Sequence, residues 1–167
     1  MANQIFVTYN QNAYGEQNTA LRLQTIANLY GISVALPARN SGNNPINDET
    51  RNRIKNSDFV LAFSLNGMQE NVSHELGDAI AKKKPIVVIY DKNNGRNINF
   101  KDYPHIKEVF MDMSNSEEAL HDITGFINTE LNKKNDKNQN VIVQTGIAVV
   151  GIAVGLLMLL FNGNKNK

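Results

Sequence analysis

The chain has 167 residues, a length that suits one domain with a hydrophobic core. Its formal net charge is +1, which excludes a strong overall field that would steer the protein to nucleic acid. It has no cysteine, so disulfides, thiolate catalysis and cysteine-ligated metals are excluded, and a reducing compartment fits. The first residues, MANQIFVTYNQN, lack the pattern of a signal peptide, and we expect none.

The first third of the chain predicts two strands and two helices in alternation. Residues 5–9 (IFVTY) form a short apolar, β-rich run that predicts the first strand. A helix follows, with Asn18 or Thr19 as its cap and Gly31 as its terminating residue. Its predicted buried stripe comprises Ala20, Leu23, Ala27 and Tyr30. Residues 32–36 predict the second strand, residues 37–45 a turn-rich loop, and residues 48–56 a short basic helix.

The middle of the chain predicts a strand–helix–strand unit. Residues 59–63 and 86–90 are uninterrupted apolar runs, which are typical of parallel strands buried on both faces. The helix between them carries one apolar stripe, formed by Val72, Leu76, Ala79 and Ile80. We expect Asn71 or Ser73 to cap this helix and Pro85 to stop it. The lysines at 82–84 are expected at its negative dipole end.

One more strand and one more helix complete the predicted domain. Residues 109–111 predict a weak fifth strand, and Ser114 with Glu117 predicts a capping box. The helix after them directs four apolar residues inward: Leu120, Ile123, Ile127 and Leu131. Strands and helices that alternate at this spacing indicate an α/β domain with helices on both faces of a mostly parallel sheet. We therefore predict a flavodoxin-like sheet of five parallel strands in the order 2-1-3-4-5.

Residues 141–161 (VIVQTGIAVVGIAVGLLMLLF) carry no charge over 21 positions and predict a transmembrane helix. The alternative is a buried core helix. The predicted organisation is a domain over residues 1–131, a polar linker over 132–140, the membrane helix and a short tail over 162–167. We expect a tail-anchored protein whose amino-terminal domain is cytoplasmic. Gly151 and Gly155 form a GxxxG pair, which predicts a contact between two such helices in a homo-oligomer.

The chemistry of the chain centres on Glu75. The phosphate-binding patterns GxGxxG and GxxxxGK[ST] are absent, as is the GxSxG pattern of serine hydrolases. The three histidines lack metal-ligand spacing, and we predict no metal and a surface position for His74. Glu75 lies near the front of the middle helix, close to the strand end at Ser64 and Asn66, where ligands of parallel sheets collect. A carboxylate there can stabilise or attack a ribosyl cation, as in glycosidases; the alternative is a solvated acid at a helix start.

From residue 4 to about residue 131 the chain resembles a bacterial Toll/interleukin receptor (TIR) domain. IFVTYNQN is similar to the first strand of that family. GISVALPARNSGNNPINDETRNRIKNSDFVLAFS resembles its second strand, BB loop, next helix and third strand. NVSHELGDAIAKKKPIVVIYD resembles the helix that carries the NAD-cleaving glutamate, and that glutamate falls on Glu75. Asn71-Val72 stands where the family often has Trp-Cys or Trp-Val.

The resemblance implies an NAD nucleosidase with catalytic Glu75, NAD as substrate and no other cofactor. Candidate substrate contacts flank the strand ends around Glu75: Tyr9, Asn10, Arg39, Ser64 and Asn66. Arg39 is the candidate for the diphosphate, which a guanidinium binds bidentately. The family further implies antiphage defence and self-assembly, in which a neighbour's BB loop, here residues 37–45, completes the site.

Two alternatives stay open. HELGDAIAKKKPIVVI is also similar to a pattern of nucleoside 2-deoxyribosyltransferases, which use the glutamate as a nucleophile. The domain could also be a non-catalytic TIR module that recruits other TIR proteins at a membrane.

Overall fold

Five parallel strands form one sheet in the order β2-β1-β3-β4-β5. This computed structural model describes residues 4–39, 45–94, 99–112, 114–132 and 139–163. The strands are β1 (Gln4–Thr8), β2 (Ser33–Ala35), β3 (Phe59–Ser64), β4 (Ile86–Asp91) and β5 (Ile106–Met111). The helices are α1 (Tyr14–Leu29), α2 (Asp48–Asn56), α3 (Glu70–Ala81), α4 (Ser116–Asn132) and α5 (Gln139–Gly163). The predicted α/β class and strand order are confirmed.

Helices cover both faces of the sheet and create two apolar layers. On one face α1, α4 and α5 pack against a cluster that includes Leu23, Leu61 and Ile123. On the other face α2 and α3 pack against a cluster that includes Ile54, Val88 and Leu76. All six residues of β3 are buried, as the uninterrupted apolar run predicts. Because the strands are parallel, their carboxyl ends meet at one edge of the sheet.

The helix starts are where the predictions fail most. The first helix begins at Tyr14, not at Asn18 or Thr19, and its N-cap residue, Ala13, makes no side-chain capping bond. A helix that begins without a polar cap leaves no sequence signal at its start. Tyr30 is 74% exposed and lies beyond the helix, so it is not part of the buried stripe. Gly31 has φ +72°, which confirms it as the residue that ends the helix.

The middle helix also starts earlier than predicted. Gln69 occupies its N-cap position without a side-chain bond, so Asn71 and Ser73 lie inside α3 and do not cap it. The helix ends at Ala81 and Lys82 is its C-cap residue, so the lysines at 82–84 directly follow the last turn, at the predicted end of the helix. The second helix matches its predicted bounds. Its N-cap residue is Asn47, whose side chain accepts a hydrogen bond from the Thr50 N–H.

Three further boundaries differ. The second strand is shorter than the predicted residues 32–36, and β5 begins at Ile106, well before residue 109. The predicted capping box is wrong, because the Ser114 hydroxyl donates to Asp112 Oδ1 at 2.6 Å and α4 begins only at Ser116.

Some predictions concern parts of the chain outside the described residues. These parts are residues 40–44 of the BB loop, residues 133–138 of the linker, residues 164–167 of the tail and the side chain of Leu131.

The last helix, α5, packs against α1 and α4. Five of its residues are buried in the apolar cluster on that face: Val149, Val150, Ala153, Val154 and Leu157. At the far end of the contact a Cβ added to Gly15 would lie 2.9 Å from Leu160 Cδ1. Within the residues that the structure describes, no helix has the length and hydropathy needed to cross a membrane. The transmembrane helix predicted over residues 141–161 therefore has no support from the structure. In the structure this helix buries one of its faces in the domain.

Candidate functional site

Glu75 lies in the second turn of α3, on the side of the helix that faces the sheet. Its neighbours on this side, Val72, Leu76 and Ala79, are buried apolar residues. The Glu75 side chain is only 2% exposed. It therefore cannot be a solvated acid at a helix start, and a buried carboxylate requires partners.

Two side chains supply those partners. The Arg39 guanidinium donates from Nε to Glu75 Oε1 at 3.2 Å and from Nη2 to Oε2 at 3.0 Å, which is a bidentate pair. Thr8, the last residue of β1, donates its hydroxyl hydrogen to Glu75 Oε2. The carboxylate is therefore held at the carboxyl edge of the sheet, by groups from β1 and from the chain that follows β2.

Arg39 is itself confined by an aromatic ring. Its Cζ atom lies 4.6 Å from the centre of the Tyr9 ring, a cation–π contact. The side chain is 16% exposed, so Arg39 is not a freely solvated loop residue. Its Nη1 atom is buried and has no hydrogen-bond partner in the part of the chain that the structure describes. The Nε and Nη2 atoms of Arg39 thus bind Glu75, while Nη1 is a donor without an acceptor among the described residues.

Burial controls the protonation of Glu75. Removal of the carboxylate from water raises the pKa of Glu75 above its ordinary value, and the hydrogen bonds from Arg39 and Thr8 oppose this rise. A carboxyl group with a raised pKa in a largely water-free position is a common feature of catalytic sites. The same arrangement also suits a structural ion pair, which is why activity is the deciding test.

The other predicted contacts lie around this pair but are used differently. Ser64 ends β3, and strand alternation puts it on the same face as Val60 and Ala62, which α3 covers. Its hydroxyl is buried and without a partner among the described residues. Asn10 is 5% exposed and its side-chain oxygen accepts from the Asn12 N–H at 2.9 Å.

Asn66 is exposed, and its backbone N–H rather than its side chain points into the protein. The structure therefore places Arg39 in direct contact with both Tyr9 and Glu75. Asn10 uses its side chain within its own loop, and Asn66 directs its backbone N–H into the protein. His74 is exposed and lies 3.6 Å from Glu70, which confirms the predicted surface position.

A second buried carboxylate, Glu16, escaped the sequence analysis. Glu16 lies in the first turn of α1 and is fully buried. It accepts hydrogen bonds from the backbone N–H groups of Asn10 at 2.7 Å, Leu65 at 2.8 Å and Asn66 at 3.3 Å. Burial raises its pKa, while these three bonds and the charge of Arg39 oppose the rise.

Both missed residues, Thr8 and Glu16, left a weak signal. Thr8 is a buried polar residue directly after the apolar run of residues 5–7 in β1, and a buried hydroxyl requires a hydrogen-bond partner. Glu16 precedes Ala20, Leu23 and Ala27 at helical spacing, so it extends the buried stripe once α1 is known to begin at Tyr14.

No protein-family model matches the chain, and no curated protein matches it in sequence. The resemblance to TIR domains therefore rests on the motifs quoted above. The sheet order alone does not decide function, because folds of this class host many activities.

Proposed function

We propose that this protein is a TIR-type NAD nucleosidase that cleaves the nicotinamide–ribose bond with Glu75 as its catalytic carboxylate. One observation carries the proposal: a carboxylate that is 2% exposed lies at the carboxyl edge of a parallel sheet, paired with an arginine that keeps a donor nitrogen unused. This edge is where parallel sheets bind ligands, and both groups suit a dinucleotide with a diphosphate and a ribose.

In the proposed reaction the bond between ribose C1′ and the nicotinamide nitrogen breaks. Its electron pair goes to the ring nitrogen, so cationic nicotinamide leaves as a neutral molecule. The ribosyl group becomes an oxocarbenium-like cation, which Glu75 stabilises or captures. Attack by water at C1′ with loss of a proton then yields ADP-ribose, while attack by another nucleophile yields a cyclised or conjugated product.

Arg39 must change partners for this reaction to occur. In the free protein its guanidinium occupies both oxygens of Glu75. Movement of the guanidinium would bring the buried, unused Nη1 donor to a bound diphosphate, and transfer of the guanidinium to the phosphate oxygens would expose the carboxylate to the ribose. Ser64, with its unpartnered hydroxyl, is the second proposed substrate contact, and Tyr9 positions Arg39.

The test is product analysis with the purified full chain. One reaction contains NAD, and a second contains a deoxynucleoside with a different free base. Nicotinamide release from NAD supports the proposal. Base exchange without nicotinamide release would instead assign the chain to the 2-deoxyribosyltransferases. No turnover of either substrate by folded protein would favour the non-catalytic TIR module, in which the Arg39–Glu75 pair is structural.

Membrane anchoring and self-assembly are further parts of the proposal. Helix α5 carries no charged residue, and its outward side includes exposed Gly155 and Leu159. A Cβ at Gly151 or Gly155 would meet nothing within 4 Å, so both glycines leave room for a second helix. We propose a tail-anchored homo-oligomer with a cytoplasmic domain that acts in antiphage defence, in which α5 leaves its place against α1 and α4 and enters the bilayer. Fractionation of cells with alkaline carbonate extraction tests the anchor, since release of the protein into the soluble fraction would contradict it.

A further inference from the structure

Glu16 is a buried charge to which the proposed chemistry assigns no role. It is fully buried, and the three hydrogen bonds that the structure gives it all come from backbone N–H groups. The withdrawal of a carboxylate from water costs several kcal/mol unless its oxygens are well paired. A residue needed only to fill the core would be apolar, so the position requires a specific explanation.

The three amides belong to two different loops at the carboxyl edge of the sheet. The Asn10 N–H donates to Oε2 and comes from the loop after β1. The Leu65 and Asn66 N–H groups donate to Oε1 and come from the loop after β3, 49 and 50 residues away along the chain. Strands β1 and β3 are neighbours at the point where the strand order reverses, which is where such sheets open a ligand crevice. Glu16 thus joins the two loops that border this switch point.

Each of these loops is continuous with residues of the candidate site. Asn10 directly follows Tyr9, whose ring supports Arg39, and is two residues from Thr8, which donates to Glu75. Leu65 directly follows Ser64. A change in the spacing of the two loops would therefore move groups on both sides of the Arg39–Glu75 pair.

We propose that Glu16 is a positioning residue that fixes the spacing of the β1 and β3 loops and thereby the geometry of the Arg39–Glu75 pair and of Ser64. This inference rests on the proposed function, because the site that it positions is the one proposed to bind NAD. Its first test does not require turnover. The readout is the pKa of Glu75. Glu75 pairs with Arg39, and the charge of Arg39 also acts on Glu16.

The variant is Glu16→Gln, which keeps the size of the side chain but has only one acceptor oxygen. Its NH₂ group would face a backbone N–H, so one of the two loops must be released. The titration midpoint of Glu75 is followed by carboxyl ¹³C NMR. If the site were rigid, removal of a neighbouring negative charge would lower the pKa of Glu75. If Glu16 positions the site, Arg39 and Thr8 lose their alignment and the pKa of Glu75 rises, by about half a pH unit or more.

Glu16→Asp gives a second result that does not depend on the charge change. The aspartate keeps the negative charge but is one methylene shorter, so it cannot reach both loops, and the pKa of Glu75 should again rise. This variant also provides the answer if Glu16→Gln does not fold. Glu118→Gln, a matched change at an exposed position of α4, should leave the pKa of Glu75 unchanged.

Turnover separates this inference from the proposed function. If wild type releases nicotinamide, the folded Glu16 variants should show a KM for NAD raised about tenfold or more, because the binding loops are misplaced. A pKa of Glu75 that falls in Glu16→Gln and stays constant in Glu16→Asp would overturn the positioning role, whether or not the protein is active. A wild type that does not cleave NAD, combined with a raised pKa of Glu75 in both variants, would overturn the proposed function and leave the positioning role standing.

Discussion

Replacement of Arg39 by methionine should be one of the most damaging single changes to stability at the candidate site. Methionine keeps an apolar stem against the Tyr9 ring but removes both donors to Glu75. Glu75 is 2% exposed, so its charge would then be buried with the Thr8 hydroxyl as its one remaining partner among the described residues. Removal of one partner of a buried ion pair costs about 3–5 kcal/mol, and this is the expected loss in the free energy of unfolding near neutral pH.

The matched control is Arg51→Met. Arg51 forms an ion pair with Asp48 at 3.7 Å, but the two side chains are 52% and 96% exposed. Pairs of this kind contribute about 0–1 kcal/mol, so the control should remain close to wild type. Urea unfolding followed by circular dichroism measures both variants. The double variant Arg39→Met with Glu75→Gln should regain much of the loss, because the buried charge is gone.

The loss should also depend on pH in a defined direction. Glu75 has a raised pKa in the folded protein, so the stability linked to its protonation is fully present below its unfolded pKa of about 4.5. That stability is lost as the pH rises through the folded pKa, with a slope of at most about 1.36 kcal/mol per pH unit. Arg39 opposes the raised pKa, so its removal moves the folded pKa of Glu75 higher. The gap between wild type and Arg39→Met should therefore be small near pH 4.5 and grow toward pH 7.

An Arg39→Met variant that loses no more stability than Arg51→Met at pH 7 would contradict a buried Arg39–Glu75 pair. So would a stability gap between wild type and Arg39→Met that widens as the pH is lowered, since an unpaired buried carboxylate becomes less costly when it takes up a proton. Either result would mean that Glu75 is solvated in solution rather than held in a buried pair.

Two further predictions concern packing. Leu76→Asp should unfold the domain, because it places a charge on the buried stripe of α3, whereas Gly77→Asp on the exposed side of the same turn should leave the circular dichroism spectrum native. Gly15→Val should lower the free energy of unfolding by about 1 kcal/mol, the low end for overpacking, because the Leu160 methyl groups that it meets end a flexible side chain; Gly125→Val, where a Cβ meets nothing within 4 Å, is its control. Equal stability of these two valine variants would show that Leu160 is not held against Gly15 in solution.

The sequence patterns predict the centre of the fold better than its ends. The strands β3 and β4 are uninterrupted apolar runs, and α2 has an explicit cap at Asn47, so these elements are placed well. The start of α1 has no side-chain cap, so nothing in the pattern reveals it. Helix α5 is apolar on all sides, and a run of this length predicts a bilayer span, so its packing against α1 and α4 is not predictable from the pattern.

The candidate site shows the same division. Glu75 is predictable because it follows a buried parallel strand at the edge where ligands bind. Its pairing with Arg39, 36 residues away, depends on the path of the chain after β2, which the loop sequence does not specify. Glu16 is harder still, because its partners are backbone amides, and any residue type can supply them.

The most direct measurement is nicotinamide release from NAD by wild type, Glu75→Gln and Glu70→Gln at equal concentrations of folded protein. Glu70 lies on the same helix but is 89% exposed, so its replacement is a matched control for the loss of one carboxylate. The proposed function predicts equal release by wild type and Glu70→Gln, and release by Glu75→Gln that is lower by about a hundredfold or more. Equal release by wild type and Glu75→Gln would remove Glu75 from the mechanism, and the absence of release by folded wild type would contradict the proposed activity itself.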